Sequence, residues 1–327
     1  MKRPMLSLSV LLAVQLLVAG GLALASVQRR GGPTNTPLFA FDKAAADRIV
    51  VEGPAGAKVE LVKAAGAWKV ASRGGFPADA GKVERLLDRL AALRRAEPVA
   101  TSAEAAARFK VADADFERRV TVEAGGKPVA TALFGTTAAM RAVHTRAAGS
   151  GDIQLAEFST WETPAAADEW LDKAVLRIPR GEIEAVIAGG VTLEKVAPAG
   201  EATPATDAAP VAPTWRATGL PKGSTLDAAA ADALVRAVAD LSITGVADAP
   251  AASVPDTLVV AVRRAGGATT EHRLAKPAAP GTDWTLRTSA RPETLRVAAY
   301  AAEALQRAAD PGTLSGKPPP PPEAPKK

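Results

Sequence analysis

Hydrophobic and polar residues alternate with a period of two over several short stretches of the chain, and each group of such stretches is followed by apolar residues at helical spacing. The first group predicts strands at residues 48–52, 58–63 and 67–70, with turns at Gly53-Pro54 and Gly66. The helix that follows carries Val83, Leu86, Leu87, Leu90 and Leu93 on one face. Asp79 is the predicted N-cap of this helix.

Two weaker copies of the same pattern follow. The second is predicted at residues 185–187, 191–195 and 214–217, with Leu234, Val235, Val238 and Leu241 on its helix. The third is predicted at residues 257–262, 270–274 and 283–286, with a helix that starts near Pro292-Glu293 and carries Leu295, Ala298, Ala299, Ala302 and Leu305. Trp68, Trp215 and Trp284 share the third-strand position, which predicts three core residues. An exposed platform for glycan is the alternative.

The stretch between the first two copies has a different pattern. Residues 119–134 and 142–155 predict two β-hairpins, and Trp161 to Asp172 predicts a helix or a tight corner. The expected fold class is therefore α+β, with repeated antiparallel β-sheet units, each backed by an amphipathic helix. One N-terminal transmembrane helix is expected to precede them.

Residues Met5 to Val27 form an apolar run flanked by Lys2-Arg3 and Arg29-Arg30. This run is long enough to cross a bilayer as a helix. Its Ala23-Leu24-Ala25 also fits the cleavage site of a secretory signal peptide, so both interpretations remain open. The basic leading end favours a cytoplasmic N-terminus in either case. We therefore expect a single-pass protein of the inner membrane with its body in the periplasm, or a secreted periplasmic form if residues 1–27 are removed.

Changes in composition along the chain predict where its segments begin and end. The segments expected are an anchor or signal at 1–30, a linker at 31–37, a first α+β domain at 38–183, a second α+β region at 184–312, and a disordered Pro-rich tail at 313–327. Residues 197–213 are rich in Ala, Pro and Thr and predict a long loop within the second region.

The net charge of +5 arises from the two ends of the chain. The basic residues there are Lys2, Arg3, Arg29, Arg30, Lys317, Lys326 and Lys327, against Glu323 alone. The body is close to neutral and lacks a basic stripe, so we expect no nucleic-acid partner.

There is no cysteine, and the two histidines, His144 and His272, lie far apart in predicted surface strands. Neither a nucleotide-binding loop nor a hydrolase or metalloprotease motif is present in the sequence. Asp113-Ala114-Asp115 lacks the remaining positions of a calcium loop. We expect no catalytic residue, no cofactor and no metal site.

Several of these features in order resemble the bacterial domain-of-unknown-function family 4340. They are Ile49-Val50-Val51, Val59-Glu60-Leu61, Gly66-Ala67-Trp68-Lys69-Val70, Pro77-Ala78-Asp79, Phe109-Lys110-Val111, Phe116, Phe134-Gly135, Val143-His144-Thr145-Arg146, Ile153 and residues 168–173. The resemblance covers about 40–190. It departs from the family in the long 197–213 loop and in His144, where the family usually has an aromatic residue. It implies a membrane-anchored envelope protein of the kind found beside ABC transporters of the gliding-motility type.

Trp161 and Trp170 lie close together in a chain in which only 4% of the residues are aromatic. With Asp168 and Lys173 they form a hypothetical corner for docking a partner. An ordinary surface ion pair between Glu169 and Lys173 is the plainer alternative. The expected function is a non-catalytic, membrane-anchored accessory or scaffold protein whose partners are the lipid bilayer, through residues 5–27, and an ABC transporter permease or other envelope subunit. Two alternatives remain, a periplasmic module that binds glycan or peptide, and an enzyme that uses a carboxylate pair.

Overall fold

The computed structural model describes residue 15 and residues 35–196, 214–248 and 255–316. The chain divides into two compact units between Leu171 and Asp172. The sequence-based limit at 183/184 falls inside a strand of the second unit, Ile183–Ala188. Residues just before that strand already bond within the second unit, since the Ile178 N–H donates to the Ala239 carbonyl at 3.0 Å.

An eight-stranded antiparallel sheet forms the first unit. Its strands are β1 (Arg48–Glu52), β2 (Lys58–Ala64), β3 (Ala67–Val70), β4 (Phe76–Pro77), β5 (Arg118–Ala124), β6 (Lys127–Ala139), β7 (Ala142–Ala147) and β8 (Ile153–Glu157). Their order in the sheet is β4-β3-β2-β1-β5-β6-β7-β8. Every neighbouring pair is antiparallel, so the predicted first copy and the two predicted hairpins belong to one sheet.

Helix α1 (Ala80–Ala92) covers the apolar face of this sheet. Val83, Leu86, Leu87 and Leu90 are buried, as their spacing predicts. The Asp79 side chain accepts a hydrogen bond from the Lys82 N–H at 2.9 Å, which confirms the predicted N-cap. The shorter helix α2 (Ala103–Arg108) covers a second, smaller cluster, which consists of Ala105, Val111, Leu133 and Ile153.

The opposite face of the central strands is charged. Arg48 on β1 pairs with Glu60 on β2 at 3.0 Å and with Glu123 on β5 at 2.9 Å. Hydrogen bonds from Lys58 and then from Arg48 lower the pKa of Glu60. Arg119 also pairs with Glu52, at 3.6 Å. Since these charges are satisfied across neighbouring strands, this face needs no cover beyond solvent.

A second antiparallel sheet forms the other unit. Its strands are β9 (Ile183–Ala188), β10 (Val191–Val196), β11 (Thr214–Thr218), β13 (Gly245–Val246), β14 (Leu258–Arg264), β15 (Thr269–Ala275), β16 (Trp284–Thr288) and β17 (Arg291–Val297). Their order is β11-β10-β9-β14-β15-β16-β17-β13. Its helices are α3 (Ala228–Ala239), α4 (Ala299–Ala308) and α5 (Pro311–Leu314). A separate pair joins β12 (Thr225–Leu226) to β18 (Ser315–Gly316). The second and third sequence copies therefore share one sheet.

The α+β expectation of antiparallel sheets with few helices is confirmed. Trp68, Trp215 and Trp284 are 6%, 8% and 1% exposed, so the core prediction for this position is also confirmed. Among the described residues, no helix is both long enough and apolar enough to cross a membrane. The predicted span at 5–27 lies outside the described residues except for Gln15, as does the predicted loop at 197–213.

Three predictions are wrong in detail. The helix expected from Pro292 begins later, at Ala299, because residues 291–297 complete the sheet as β17 and Leu295 points into its core. Residues 313–316 of the expected disordered tail are structured, since Leu314 is fully buried and β18 pairs with β12. His272 is a core residue rather than a surface one. It lies between Val260 and Thr288 on neighbouring strands.

Candidate functional site

The first unit contains a groove between the polar face of α1 and the chain that follows β8. Its volume is about 930 Å³. We call it the Trp161 groove, and its lining is Lys82, Arg85, Leu86, Asp88, Arg89, Ala92, Arg141, Glu157, Phe158, Ser159, Trp161 and Glu162. This lining combines one large exposed aromatic ring with seven charged side chains, which is a composition suited to binding rather than to core packing.

Trp161 is 78% exposed, although Phe158 before its turn and Thr163 after it are buried. It lies on the short 3-10 turn Thr160–Glu162. Before the turn, the ring of Phe158 stacks on Phe134 with centroids 4.0 Å apart. After the turn, the buried Thr163 donates its hydroxyl to the Thr160 carbonyl at 3.1 Å. The turn is therefore held from both ends, and the indole projects from a fixed backbone.

The tip of the β6–β7 hairpin forms the opposite rim. Arg141 adopts a left-handed backbone with φ of 62°, which the tight two-residue turn requires. Its carbonyl accepts a hydrogen bond from the Phe158 N–H at 3.1 Å, so the hairpin tip and the Trp161 turn are tied together. Met140, beside Arg141, is 93% exposed. This rim thus offers one apolar and one cationic side chain to solvent.

The charged side chains along α1 differ in whether they already have an ion pair or hydrogen bond within the unit. Lys82 donates to the Glu169 carbonyl at 2.7 Å, and its ammonium lies 4.9 Å from the centre of the Trp170 ring. Arg89 pairs with Glu162 at 3.3 Å, and Asp88 pairs with Lys43 outside the groove.

Arg85 and Arg141, by contrast, form no ion pair with any residue that the structure describes. Each guanidinium has five N–H donors arranged for bidentate contact with a carboxylate. The groove therefore offers one indole and two uncommitted guanidinium groups to a partner.

The structure places the four residues of the predicted docking corner in different surroundings. Trp161 lies on the groove, as described. Trp170 is fully buried, and its Nε1 donates to the Pro164 carbonyl at 2.8 Å, so it offers no ring surface to a partner and is a core residue instead. Asp168 accepts from Arg73 Nε at 2.6 Å. Lys173 belongs to the second unit, where its carbonyl accepts from the Ile243 N–H at 3.1 Å. The docking role itself stays a prediction, now resting on Trp161.

Asp113, Asp115 and His144, which the sequence analysis considered for metal or acid–base chemistry, are engaged in structural contacts. Asp113 accepts from the buried Arg146 at 2.5 Å, and Asp115 accepts from Lys110 at 2.8 Å. His144 stacks on Phe109 with ring centroids 3.9 Å apart, and its Nδ1 lies 3.0 Å from the Thr136 hydroxyl. Within the described part of the chain, no three His, Asp or Glu side chains are grouped to hold a metal ion. The expectations of no catalysis and no cofactor stay predictions.

Sequence reasoning missed Arg85, Arg141 and Phe158. Helical spacing leaves Arg85 on the polar face of α1, where it is exposed, but spacing says nothing of the turn opposite it. Arg141 lies between the two predicted hairpins, and neither Met140 nor Arg141 is a residue type that marks a tight turn. Nothing in the local pattern indicates that Phe158 stacks on Phe134, because Phe134 lies within β6, Phe158 follows β8, and the two rings meet only in the fold.

Residues 68–258 match the family model described as Domain of unknown function (DUF4340). The match begins later and extends further than the resemblance over about 40–190, and it takes in parts of both units. No curated protein and no solved structure matches the chain. Since the family model covers more than half of the 327 residues, the chain belongs to the family of domain-of-unknown-function 4340 proteins.

Proposed function

We propose that this chain is a non-catalytic accessory protein of the bacterial cell envelope, which binds a partner protein through the Trp161 groove. The supporting observation is the Trp161 side chain itself, 78% exposed on a turn that is fixed by buried neighbours. Rigid, exposed tryptophan is the residue most enriched among the anchors of protein interfaces. A backbone held in place loses little conformational entropy on binding.

The proposed setting is the outer face of the inner membrane, with the body in the periplasm. The apolar run at 5–27 and its basic flanks support an anchored chain in this orientation. The association with an ABC-type envelope transporter is taken into the proposal from what the sequence resemblance implies. In this proposal the chain contributes binding surface and position to the transporter, and its partner carries out the chemistry.

The test is purification of the full chain from gently solubilised native membranes, with a C-terminal tag and chemical crosslinking before extraction. Recovery of permease or ATPase subunits together with an intact N-terminal peptide is the expected result. A Trp161→Ala variant should lose them, while a Tyr300→Ala variant should retain them, because Tyr300 is equally exposed but lies in the second unit. A protein that runs as a monomer with no transporter subunit would overturn the proposal.

The second candidate function is a periplasmic module that binds glycan or peptide. Trp161 also favours it, because an exposed indole in an open groove can stack on a sugar ring. Protection of Trp161 fluorescence from acrylamide by soluble glycan or peptide, with a processed N-terminus and no consistent partner, would favour this candidate over the accessory function.

A further inference from the structure

We propose that the Trp161 groove takes an acidic extracytoplasmic segment of an integral membrane protein that lies close to the surface of the same bilayer. This inference deepens the proposed function and rests on it, since it takes residues 5–27 as a retained anchor. It adds the chemistry of the partner segment and its distance from the membrane. Two independent features lead to it, the path by which the chain enters the first unit and the charges left uncommitted in the groove.

The chain enters the first unit beside the groove. The Asn35 N–H donates to the Arg95 carbonyl at 2.8 Å, and the Leu38 N–H donates to the Leu93 carbonyl at 2.8 Å. Leu93 directly follows Ala92, which lines the groove. Further along, Lys43 pairs with Asp88, another lining residue. Residues 35–43 therefore run along the C-terminal half of α1, next to the groove.

Covalent geometry then limits how far the groove can be from the membrane. Eight peptide steps separate Val27, the end of the apolar run, from Asn35, and they span at most about 30 Å. The three steps from Arg95 to Ala92 add at most about 11 Å. With the hydrogen-bonded step of about 5 Å from Asn35 to Arg95, the near end of the groove thus lies within about 45 Å of the end of the span. A tether this short raises the effective concentration of the groove for partners in the same membrane.

The charges of the groove select an acidic segment. Two of its three carboxylates are already neutralised, Asp88 by Lys43 and Glu162 by Arg89. Arg85 and Arg141 remain without an ion pair among the described residues, against Glu157 alone. Charge-assisted, bidentate bonds from arginine favour carboxylate partners. A segment that carries at least two Asp or Glu beside an apolar residue would satisfy both guanidinium groups and cover the Trp161 ring.

Site-specific photocrosslinking of the full chain in native membranes tests this inference. A benzophenone amino acid replaces Trp161 in one variant and Tyr300 in the control, because the two positions are equally exposed, at 78%. Crosslinked peptides are mapped by mass spectrometry, and the mapped segment is then synthesised and titrated against the full chain. The charge-reversed variant Arg85→Glu/Arg141→Glu is compared in both measurements. Neither substituted side chain is buried, so the fold should survive the change.

The expected result is a crosslink from position 161, and none from position 300, to an acidic segment near a membrane-spanning helix. The charge-reversed variant should reduce the crosslink yield and the peptide affinity by about tenfold or more. A crosslink from position 161 to lipid alone, to a soluble protein, or to a segment without acidic residues would overturn the inference. A charge-reversed variant that behaves like the natural sequence would also overturn it.

If position 300 captures the transporter instead, the accessory function stands and only this site is wrong. If neither position yields a crosslink and no subunit co-purifies, the proposed function fails as well.

Discussion

The ring of Phe158 lies flat against the ring of Phe134, with centroids 4.0 Å apart and planes inclined by 8°. Phe134 is in the core of the first sheet, and Phe158 directly follows β8. The stack fixes the start of the Trp161 turn to the buried core of the unit. A buried contact therefore determines the position of the exposed Trp161 side chain.

The first prediction follows from that contact. Phe158→Leu should lower the free energy of unfolding by about 1–2 kcal/mol, since it removes the stacking and leaves imperfect packing. It should also weaken capture of the partner by the Trp161 groove, although Trp161 itself is unchanged. Urea unfolding and the crosslink yield from position 161 measure the two effects. Phe116→Leu, at a half-buried site outside the groove, should leave the yield unchanged. Equal yields in both variants would contradict the role given to Phe158.

The second prediction concerns fluorescence. Of the five tryptophans, four are at least nine-tenths buried and Trp161 alone is exposed. Acrylamide should therefore quench one component of the emission strongly, and Trp161→Phe should abolish that component with a change in unfolding free energy below about 0.5 kcal/mol. Trp68→Phe is the control and should leave the quenched component in place. Strong quenching that persists in Trp161→Phe would show that the wrong indole has been assigned to solvent.

The third prediction tests the close approach at Gly135. A Cβ added there would lie 1.9 Å from the Phe109 carbonyl oxygen and 2.8 Å from Val111 Cγ1. Gly135→Ala should therefore force the loop at 109–111 off the sheet and cost about 3 kcal/mol or more of stability. Gly181→Ala is the matched control, because a Cβ at Gly181 meets nothing within 4 Å. Thermal unfolding of the two variants measures the difference, and similar midpoints would refute the packing described here.

The fourth prediction is a pH dependence of the second unit. Burial lowers the pKa of His272 from 6.5 to about 4, and neither ring nitrogen has a hydrogen-bond partner among the described residues. Between those two pH values the unfolded chain binds a proton that the folded chain does not. Stability is therefore complete above about pH 6.5 and falls as the pH is lowered to about 4, by about 3 kcal/mol in total.

His272→Leu isolates this effect. Leucine has a similar volume and cannot be protonated, so the variant should lose most of the decrease between pH 6.5 and pH 4. It should be at least as stable as the natural sequence at pH 7, because a buried polar ring without partners is removed. Urea midpoints across this pH range provide the measurement. An unchanged slope in His272→Leu would assign the acid sensitivity to other groups.

Local pattern was enough to predict most elements of the first unit. The alternation in residues 58–63 predicted β2, and the spacing from Val83 to Leu90, with Asp79 as N-cap, predicted α1. These features depend on neighbours within one strand or one turn of helix, where periodicity is informative. The recurring position of Trp68, Trp215 and Trp284 was likewise enough to predict their burial.

Local sequence patterns do not predict contacts between distant parts of the chain. Trp161 and Trp170 look alike in the sequence, yet one projects into solvent and the other donates to Pro164 from the core. His272 lies in an alternating strand that could face either way, and the sheet places it inside. Leu295 fits a helical pattern, but pairing of β17 with β16 decides its conformation. In each case tertiary packing overrides a local preference that was nearly balanced.

The pairing of β12 with β18 has a consequence for the order in which the chain folds. Everything that the first unit needs has been synthesised by Leu171, so this unit can fold while the rest of the chain is still being made. The second unit has to wait for nearly all of the remaining chain. The Asp227 N–H, next to its first long helix, finds its acceptor only at Leu314, and β12 finds its partner only at Ser315–Gly316. A growing chain can therefore complete its Trp161 groove before its second unit has closed.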